Sequence, residues 1–109
     1  MDKLYDEAFE IISEAGDAKS KAMEAIAKIQ EFDFETARIL LEEAQKSINK
    51  AHRIQTEIIG KEIRKDVEID MNILLVHSQD HYAMATTAID MATTFLKLYE
   101  QLQEMKGEK

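Results

Sequence analysis

Five consecutive residues, His77-Ser78-Gln79-Asp80-His81, bring together the side chains of this chain that are best suited to chemistry. In a helix with about 100° between successive residues, His77 lies about 40° from His81 and about 60° from Asp80. An imidazole, a carboxamide or a carboxylate on an otherwise apolar helix is costly to bury unless it finds a partner. A neutral imidazole is a nucleophile at neutral pH and forms a labile phosphoramidate. The stretch therefore predicts a site with His77 as a candidate nucleophile.

Several other kinds of site fail on residue type or spacing. A zinc-protease helix carries Glu directly after its first His, where this chain has Ser78. A di-iron bundle needs Glu followed three residues later by His, and no such pair occurs. A serine-hydrolase elbow needs Gly two residues before and after its Ser, and a phosphate-binding loop needs clustered Gly, but the 3 Gly here are far apart. With 0 Cys, a thiol nucleophile and a cysteine-ligated metal are excluded as well.

Two interpretations of the histidine pair remain. In the first, His77 carries a phosphoryl group, and Gln79 or His81 donates hydrogen bonds to the phosphoryl oxygens near the positive end of the helix dipole. In the second, both histidines are core or interface residues whose hydrogen bonds are satisfied and which do no chemistry. The residues by themselves leave both interpretations open.

Asp80 also has two interpretations. It could pair with a Lys or Arg of a neighbouring helix. If the third helices of several subunits meet, their Asp80 side chains converge and repel one another unless they are protonated or bridged by a cation, and carboxylate oxygens suit hard cations such as Mg²⁺. His52 and Gln55, on the second helix, could face the same region.

The composition predicts one all-α domain over residues 1–109. A length of 109 suits a single domain, and 45% hydrophobic residues suffice for a core. With 0 Pro and 3 Gly, the chain lacks the turn residues of a β-sandwich or barrel. A net charge of −8 with 6% aromatic residues argues against nucleic-acid binding. We find neither a secretory signal nor the ~18 consecutive apolar residues of a membrane span, so we expect no membrane insertion.

The first of three predicted helices spans about residues 2–31. Its apolar residues recur at alternating spacings of four and three, which indicates a helix packed lengthwise against others. Gly16 interrupts this pattern, and we interpret it as a tight packing point. The expected buried positions are Leu4, Ala8, Ile11, Ala15, Ala18, Ala22, Ala25 and Ile29.

The second helix is expected to begin after Asp33, which can act as its N-cap. It is predicted to run to about Ile59, with Gly60 as a C-cap and residues 61–68 as a charged connection. Gln55 falls where the next apolar residue of the series should be. The expected buried positions are Phe34, Ala37, Leu41, Ala44, Ile48, Ala51 and Ile58.

The third helix is expected to begin after Asp70 or Asn72 and to run to about Glu104. Two adjacent stripes on it are mostly apolar, so we expect one set of neighbours from its own chain and another from a partner subunit. The predicted fold is an antiparallel three-helix bundle that oligomerises. One stripe is Leu74, His77, His81, Met84, Ala88, Met91, Phe95, Leu98, Leu102 and Met105, and the other is Ile73, Val76, Asp80, Ala83 and Thr87.

The stretch from His77 to His81 resembles the active-site signature His-x-Gln-Asp-His of the lactose/cellobiose-type enzyme IIA of bacterial sugar phosphotransferase systems. Further matches occur in the same order and spacing over nearly the whole chain. Tyr82-Ala83 replaces the Leu-Met that often follows the signature. The further matches are Gly16-Asp17-Ala18-Lys19-Ser20-Lys21, Asp33-Phe34, Ala51-His52-Arg53-Ile54-Gln55-Thr56 and Leu98-Tyr99.

This resemblance implies a cytoplasmic phosphocarrier that is phosphorylated on His77, at the tele nitrogen Nε2. It implies a phosphoryl donor, the histidine phosphocarrier protein HPr, and an acceptor, a cysteine of enzyme IIB, during uptake of a disaccharide of the lactose, cellobiose or chitobiose class. Gln79 and His81 are then expected beside the phosphoryl group. The resemblance also implies a homotrimer, a nine-helix bundle in which the Asp80 side chains bind a divalent cation, commonly Mg²⁺, near the threefold axis.

Two alternatives from other functional classes stay open at this point. The first is a non-catalytic helical oligomerisation or metal-binding module, in which the histidines and Asp80 only hold subunits or a metal. The second is a two-component histidine phosphotransfer domain, which would exchange its phosphoryl group with the aspartate of a response regulator. Phosphorylation by the general phosphotransferase proteins distinguishes the family assignment from both.

Overall fold

Three long α-helices make up the parts of the chain that the computed structural model describes, residues 3–64 and 73–107. They are α1 (Lys3–Gln30), α2 (Phe34–Ile63) and α3 (Ile73–Gly107). Within these ranges there is no β-strand. The helices lie side by side, up, down and up, in a body of 63 × 21 × 18 Å. The predicted antiparallel three-helix bundle is therefore confirmed.

The core-facing sides of α1 and α2 are the predicted ones. Every expected position of α1 is buried except Leu4, and every expected position of α2 is buried except Leu41. Both of these are half-buried and pack against the core. Ile11 and Ile29 are fully enclosed, and burying such a side chain contributes about 1.5–3 kcal/mol. The alanines of α1 leave space for close approach of the neighbouring helices.

The turn between α1 and α2 is held by a cap and a cluster of aromatic rings. Asp33 is the N-cap of α2, as predicted, because its carboxylate accepts a hydrogen bond of 3.2 Å from the Thr36 N–H. Phe32 takes a left-handed backbone conformation with φ of 63°. Its ring packs against Phe34 and Tyr99, with centroids 5.6 and 5.5 Å away. This cluster joins the turn to the last part of α3.

The end of α2 differs from the prediction. The helix continues through Gly60 to Ile63, and Arg64 rather than Gly60 is its C-cap, with the Arg64 N–H donating to the Gly60 carbonyl. Gly60 does not have a positive φ, so it does not form the C-cap of α2. A helix tolerates one glycine at a modest cost when the flanking turns are packed, as they are here through Ile58. The predicted caps of α3, Asp70 and Asn72, lie outside the described residues, and α3 extends beyond Glu104 to Gly107.

Gly16 is not a tight packing point, contrary to the prediction. A Cβ atom built on this residue would have no heavy-atom neighbour within 4 Å. The face of α1 that approaches its neighbours closely is the alanine stripe one position away, which is fully buried. A gap in a periodic pattern therefore did not mark a close contact here.

The buried face of α3 consists of different residues from those of the two predicted stripes. The buried residues are small or lie between the stripes, and of the predicted positions only Ala88 is buried. The prediction places large apolar residues in the core, but the alanine-rich α1 packs against alanines of α3, which leaves the larger side chains outside. The buried residues are Leu75, Ser78, Ala85, Ala88, Ile89, Ala92 and Leu96, and the exposed large ones include Val76, Met84, Met91, Phe95, Leu98, Leu102 and Met105.

Ion pairs between the helices lie on the surface. Lys61 connects α2 to α1, with its Nζ 3.9 Å from Glu7 Oε2 and 3.3 Å from Glu57 Oε1. The hydrogen bond to Glu57, and the charges of Glu57 and Glu7, raise the pKa of Lys61 above its usual range, although desolvation opposes the shift. Ion pairs at a protein surface contribute little to stability individually. Two further pairs are Lys21 with Glu43 and Arg38 with Glu100.

Candidate functional site

His77 and His81 face each other across one turn near the start of α3. Their Nε2 atoms are 3.0 Å apart, and the ring planes are nearly perpendicular at 87°. At this distance one Nε2 donates a proton to the other, because a hydrogen bond needs one protonated and one bare nitrogen. If His81 donates, the proton of neutral His77 must lie on Nδ1, and the unprotonated Nε2 of His77 accepts the hydrogen bond with its lone pair. His77 is exposed and His81 is half-buried, so the more accessible ring is the candidate nucleophile.

Ser78 determines which way this turn of the helix faces. Its side chain has 0% exposure, and its Oγ donates a hydrogen bond of 2.7 Å to the Leu75 carbonyl. A buried serine bonded to its own helix is not available as a nucleophile. With Ser78 and Leu75 directed into the core, His77 is turned to the outer side of α3.

Asp80 is exposed on α3, one turn after His77. Among the described residues, no group of three or more His, Asp, Glu or Cys side chains is arranged to hold a metal ion. Within the described part of one chain, Asp80 is therefore not part of a group large enough to hold a hard cation. The donor type fits Mg²⁺, but the number of ligands fits only if further copies contribute theirs.

Gln79 lies on a different side of α3 from His77. Its side chain lines a cavity of about 280 Å³ between the second half of α2 and the start of α3. Two residues along a helix correspond to a rotation of about 200°, so Gln79 and His77 of one chain point nearly oppositely. The residues lining this cavity are Gln55, Ile58, Ile59, Glu62, Leu75, Val76, Gln79 and Asp80.

His52 and Gln55, the two polar residues of α2 considered with Asp80, separate in the structure. Gln55 lines the cavity together with Asp80. His52 instead contacts Tyr82, with 3.0 Å between His52 Nδ1 and the Tyr82 hydroxyl, and lies in a second groove between α2 and α3. Residue type and spacing had drawn no attention to Tyr82 as a partner of His52, because the pairing depends on how α2 and α3 align.

The comparisons with known proteins agree with this geometry. The family described as PTS system, Lactose/Cellobiose specific IIA subunit, matches residues 6–100. The chain belongs to this family. It is an enzyme IIA component of a sugar phosphotransferase system, and so a phosphotransferase component, as the resemblance of the His77–His81 stretch predicted.

Individual relatives are similar over nearly the whole chain. The lichenan-specific phosphotransferase enzyme IIA component of Bacillus subtilis (strain 168) is 42% identical over 99 residues, which are 91% of this chain and 89% of the relative. The lactose-specific EIIA component of Staphylococcus aureus is 38% identical over 93 residues, 85% of this chain and 89% of the relative.

Solved structures show the same fold. The cellobiose-specific enzyme IIA of Bacillus anthracis superposes with a TM-score of 0.89 at 34% identity and covers 95% of this chain and 94% of its own. The IIA(Chitobiose)-HPr complex of Escherichia coli gives a TM-score of 0.76 at 26% identity, over 94% and 99% of the two chains. Within the described ranges of our chain, no helix combines the length and the apolar character required to cross a membrane.

Proposed function

We propose that this chain accepts a phosphoryl group on His77 from phosphorylated HPr and passes it to a cysteine of enzyme IIB. The observation that carries the proposal is the exposed His77 ring whose Nε2 lies 3.0 Å from Nε2 of His81. Family membership supports the reaction class, and the complex of a chitobiose IIA relative with HPr supports the donor. The chain acts on the cytoplasmic side of the membrane, where it meets both proteins.

In the first step, the Nε2 lone pair of His77 attacks the phosphorus of the phosphohistidine donor. A P–N bond forms on His77 while the P–N bond of the donor breaks, and the donor imidazole leaves with the electron pair. In the second step, a cysteine thiolate of enzyme IIB attacks the same phosphorus, and the bond to His77 breaks. His77 returns to the neutral ring with its proton on Nδ1. Both steps mainly require positioning and compensation of negative charge.

His81 supplies both requirements. Its Nε2–H donates to His77 Nε2 before the reaction, which keeps the attacking lone pair unprotonated. After transfer, that lone pair is used in the P–N bond, and the His81 N–H is free to donate to a phosphoryl oxygen. The His81 N–H lies beside the nitrogen that receives the phosphoryl group, so a short shift brings it to the phosphoryl oxygen where negative charge develops.

The proposed assembly is a homotrimer built around α3. Its exposed apolar residues support this arrangement, since a monomer rarely leaves so many large apolar side chains on one helix in water. In a threefold ring with Asp80 toward the axis, His77 lies on one side of that direction by about 60° and Gln79 on the other by about 100°. Gln79 of one subunit then faces His77 of the next, where it donates to the phosphoryl group.

The Asp80 side chains of three subunits would then hold a divalent cation, most simply Mg²⁺. Three carboxylate oxygen donors meet the preference of this ion, whereas one chain does not. The cation would supply charge neutralisation at the axis. It takes no part in phosphoryl transfer at His77.

The transported sugar is proposed to be a disaccharide of the lactose, cellobiose or chitobiose class. The support comes from relatives, which include enzyme IIA proteins named for lichenan, lactose and cellobiose. The sugar itself is phosphorylated later in the pathway, so this subunit would carry only the phosphoryl group.

The test is phosphorylation of the purified chain by phosphoenolpyruvate, enzyme I and HPr, followed by transfer to the cognate enzyme IIB. We expect a phosphoryl adduct that is stable in alkali and labile in acid, and none in His77→Ala. His52→Ala is the control, since it removes another exposed imidazole of the chain, one that contacts Tyr82 rather than His77. Labelling that persists in His77→Ala contradicts the assignment, and no labelling of the unmodified chain favours a non-catalytic assembly module.

A further inference from the structure

Gln55 is the least expected residue of the core-facing side of α2. It stands between Ala51 and Ile58 in a series whose other members are apolar and, apart from half-buried Leu41, buried. Its carboxamide oxygen Oε1 is buried and accepts no hydrogen bond from any group in the described part of the chain. A buried acceptor without a donor is costly, and a leucine at this position would avoid the cost. Stability alone therefore does not explain Gln55.

The surroundings of Gln55 offer one suitable donor. Apart from Gln55 itself, the side chains lining its cavity are four aliphatic groups, two carboxylic acids and the carboxamide of Gln79. Ionised Glu62 and Asp80 accept hydrogen bonds and donate none. The Gln79 carboxamide is thus the single other N–H donor among these side chains. The cavity of about 280 Å³ also has room for a water molecule between the two amides.

We infer that Gln55 is a positioning residue that holds the Gln79 carboxamide for phosphoryl transfer, an inference that rests on the proposed function. Gln55 Oε1 accepts one N–H of Gln79 through one water molecule in the cavity they share. A carboxamide can rotate by half a turn and present its oxygen in place of its nitrogen. Phosphoryl oxygens only accept hydrogen bonds, so the rotated form would repel them. By accepting one N–H, Gln55 selects the orientation in which the other N–H points out of the cavity.

The experiment is a double-mutant cycle on the phosphoryl-transfer rate from phosphorylated HPr, with Gln55→Leu, Gln79→Leu and both together. We expect Gln79→Leu to lower kcat by about 100-fold and Gln55→Leu by about tenfold, as losses of a charge-stabilising donor and of its supporting partner. The double variant should be no slower than Gln79→Leu alone, because Gln55 acts only through Gln79. KM for phosphorylated HPr should stay unchanged.

Two further variants separate positioning from folding. Gln55→Glu keeps an acceptor oxygen in the cavity and should retain most of the rate. Gln45→Leu is the matched control on α2, since Gln45 is exposed and donates to Asn49, 2.9 Å away, rather than to Gln79. It should leave the rate unchanged. If Gln55→Leu does not fold by circular dichroism, Gln55→Met takes its place in the cycle.

Either of two results overturns the inference while the proposed function stands: additive losses in the cycle, or unmodified kinetics in Gln55→Leu or in Gln79→Leu. Absence of any phosphoryl adduct on His77 of the unmodified chain overturns the proposed function instead. Labelling of His77 is measured first, so the two failures are distinguished.

Discussion

The hydrogen bond between His77 and His81 joins two rings that can each carry a proton on either nitrogen. The two Nε2 atoms are 3.0 Å apart on an exposed turn, so Nε2 is the bare nitrogen of His77 if His81 is the donor. Ser78, buried one position away, keeps this turn from rotating inward. At the residue scale, the site proposed for phosphoryl transfer is an exposed imidazole in contact with a second imidazole.

Replacing His81 should therefore slow transfer without abolishing it. We expect His81→Phe, which keeps a ring but has no N–H, to lower the rate of phosphoryl uptake by about 100-fold, the usual cost of a lost charge-stabilising donor. His81→Gln retains an N–H and should lie between this variant and the unmodified chain. The measurement is the rate of labelling from phosphorylated HPr in a quench-flow experiment. An unmodified rate in His81→Phe would exclude the role given to His81.

Helix geometry alone could predict part of this site. The spacing of four residues predicts that His77 and His81 lie close together, and in the structure their Nε2 atoms are 3.0 Å apart. The same geometry places Gln79 away from His77 of its own chain, although adjacency along the chain suggested that they act together. The cavity shared by Gln55 and Gln79 could not be predicted, because it depends on the alignment of α2 with α3 across a connection that offers no periodic pattern.

The helices differ in how clearly their sequences marked the core. In α1 and α2 the apolar residues form one regular series with polar residues around it, so the buried face could be predicted almost residue by residue. In α3 the apolar residues surround most of the helix, and large ones lie outside while Ala85 and Ala92 lie inside. Periodicity alone cannot predict which of two apolar faces of α3 is buried. The small side chains of α1 determine which face packs against them.

The N-cap of α2 predicts a pH dependence of stability. Hydrogen bonds from Thr36, through its side chain first and its backbone N–H second, hold the pKa of the Asp33 carboxyl below its ordinary value. The stabilisation is complete above the unfolded-state pKa of about 3.9 and is lost as the pH falls through the lower folded-state value. Asp33→Asn should keep the cap at pH 7, since Asn caps well, and lose this acid dependence.

Urea unfolding of both proteins at pH 7 and near pH 3 checks the expectation. The difference between the free energies of unfolding of the unmodified chain and Asp33→Asn should shift in favour of the variant on acidification. The same difference at both pH values would show that the Asp33 charge has no part in the cap.

Gly16 predicts a second effect on stability, since it lies inside α1. Since an added Cβ would meet no atom within 4 Å, Gly16→Ala should stabilise the chain by up to about 1 kcal/mol through the higher helix propensity of alanine. Gly60→Ala is a useful comparison, because its Cβ would lie 3.2 Å from the flexible Arg64 side chain and should gain less. Thermal or urea unfolding measures both. A destabilised Gly16→Ala would mean that another copy approaches this position closely.

At the scale of the whole molecule, the outer side of α3 is the feature that one chain leaves incomplete. Met91 and Leu98 are about half exposed, and Met105 is exposed further. Met91 and its neighbours Met84 and Phe95 line a shallow groove against Met23 and Ile26 of α1. Covering such a surface is the driving force of most protein association.

A charge placed on this surface should prevent assembly. We expect the unmodified chain to have about three times the 12.5 kDa mass of one chain in light scattering, and Met91→Lys to approach 12.5 kDa. Ile39→Lys is the control, because Ile39 is exposed to 52%, close to the 51% of Met91, but lies on α2. An unmodified mass for Met91→Lys would place the contact elsewhere.

Asp80 should couple assembly to a metal ion. We expect Asp80→Leu to lose the bound divalent cation and to assemble at least as well, because apolar contacts replace converging carboxylates. Asp90→Leu, at another exposed aspartate of α3, should keep the cation. Metal content by mass spectrometry and light scattering with and without a chelator measure both effects. A monomeric Asp80→Leu would contradict this arrangement.

The turn at residues 31–33 is a suitable position for a label that reports phosphoryl transfer between proteins. Phe32 contacts Tyr99, and the 22 residues from Tyr99 back to His77 correspond to about 33 Å of helix, so the turn and the reactive ring lie far apart. The chain has 0 Cys, so Glu31→Cys would introduce a unique thiol for a fluorophore. Fluorescence anisotropy of a dye attached there would report the arrival and departure of donor and acceptor proteins without obstructing either.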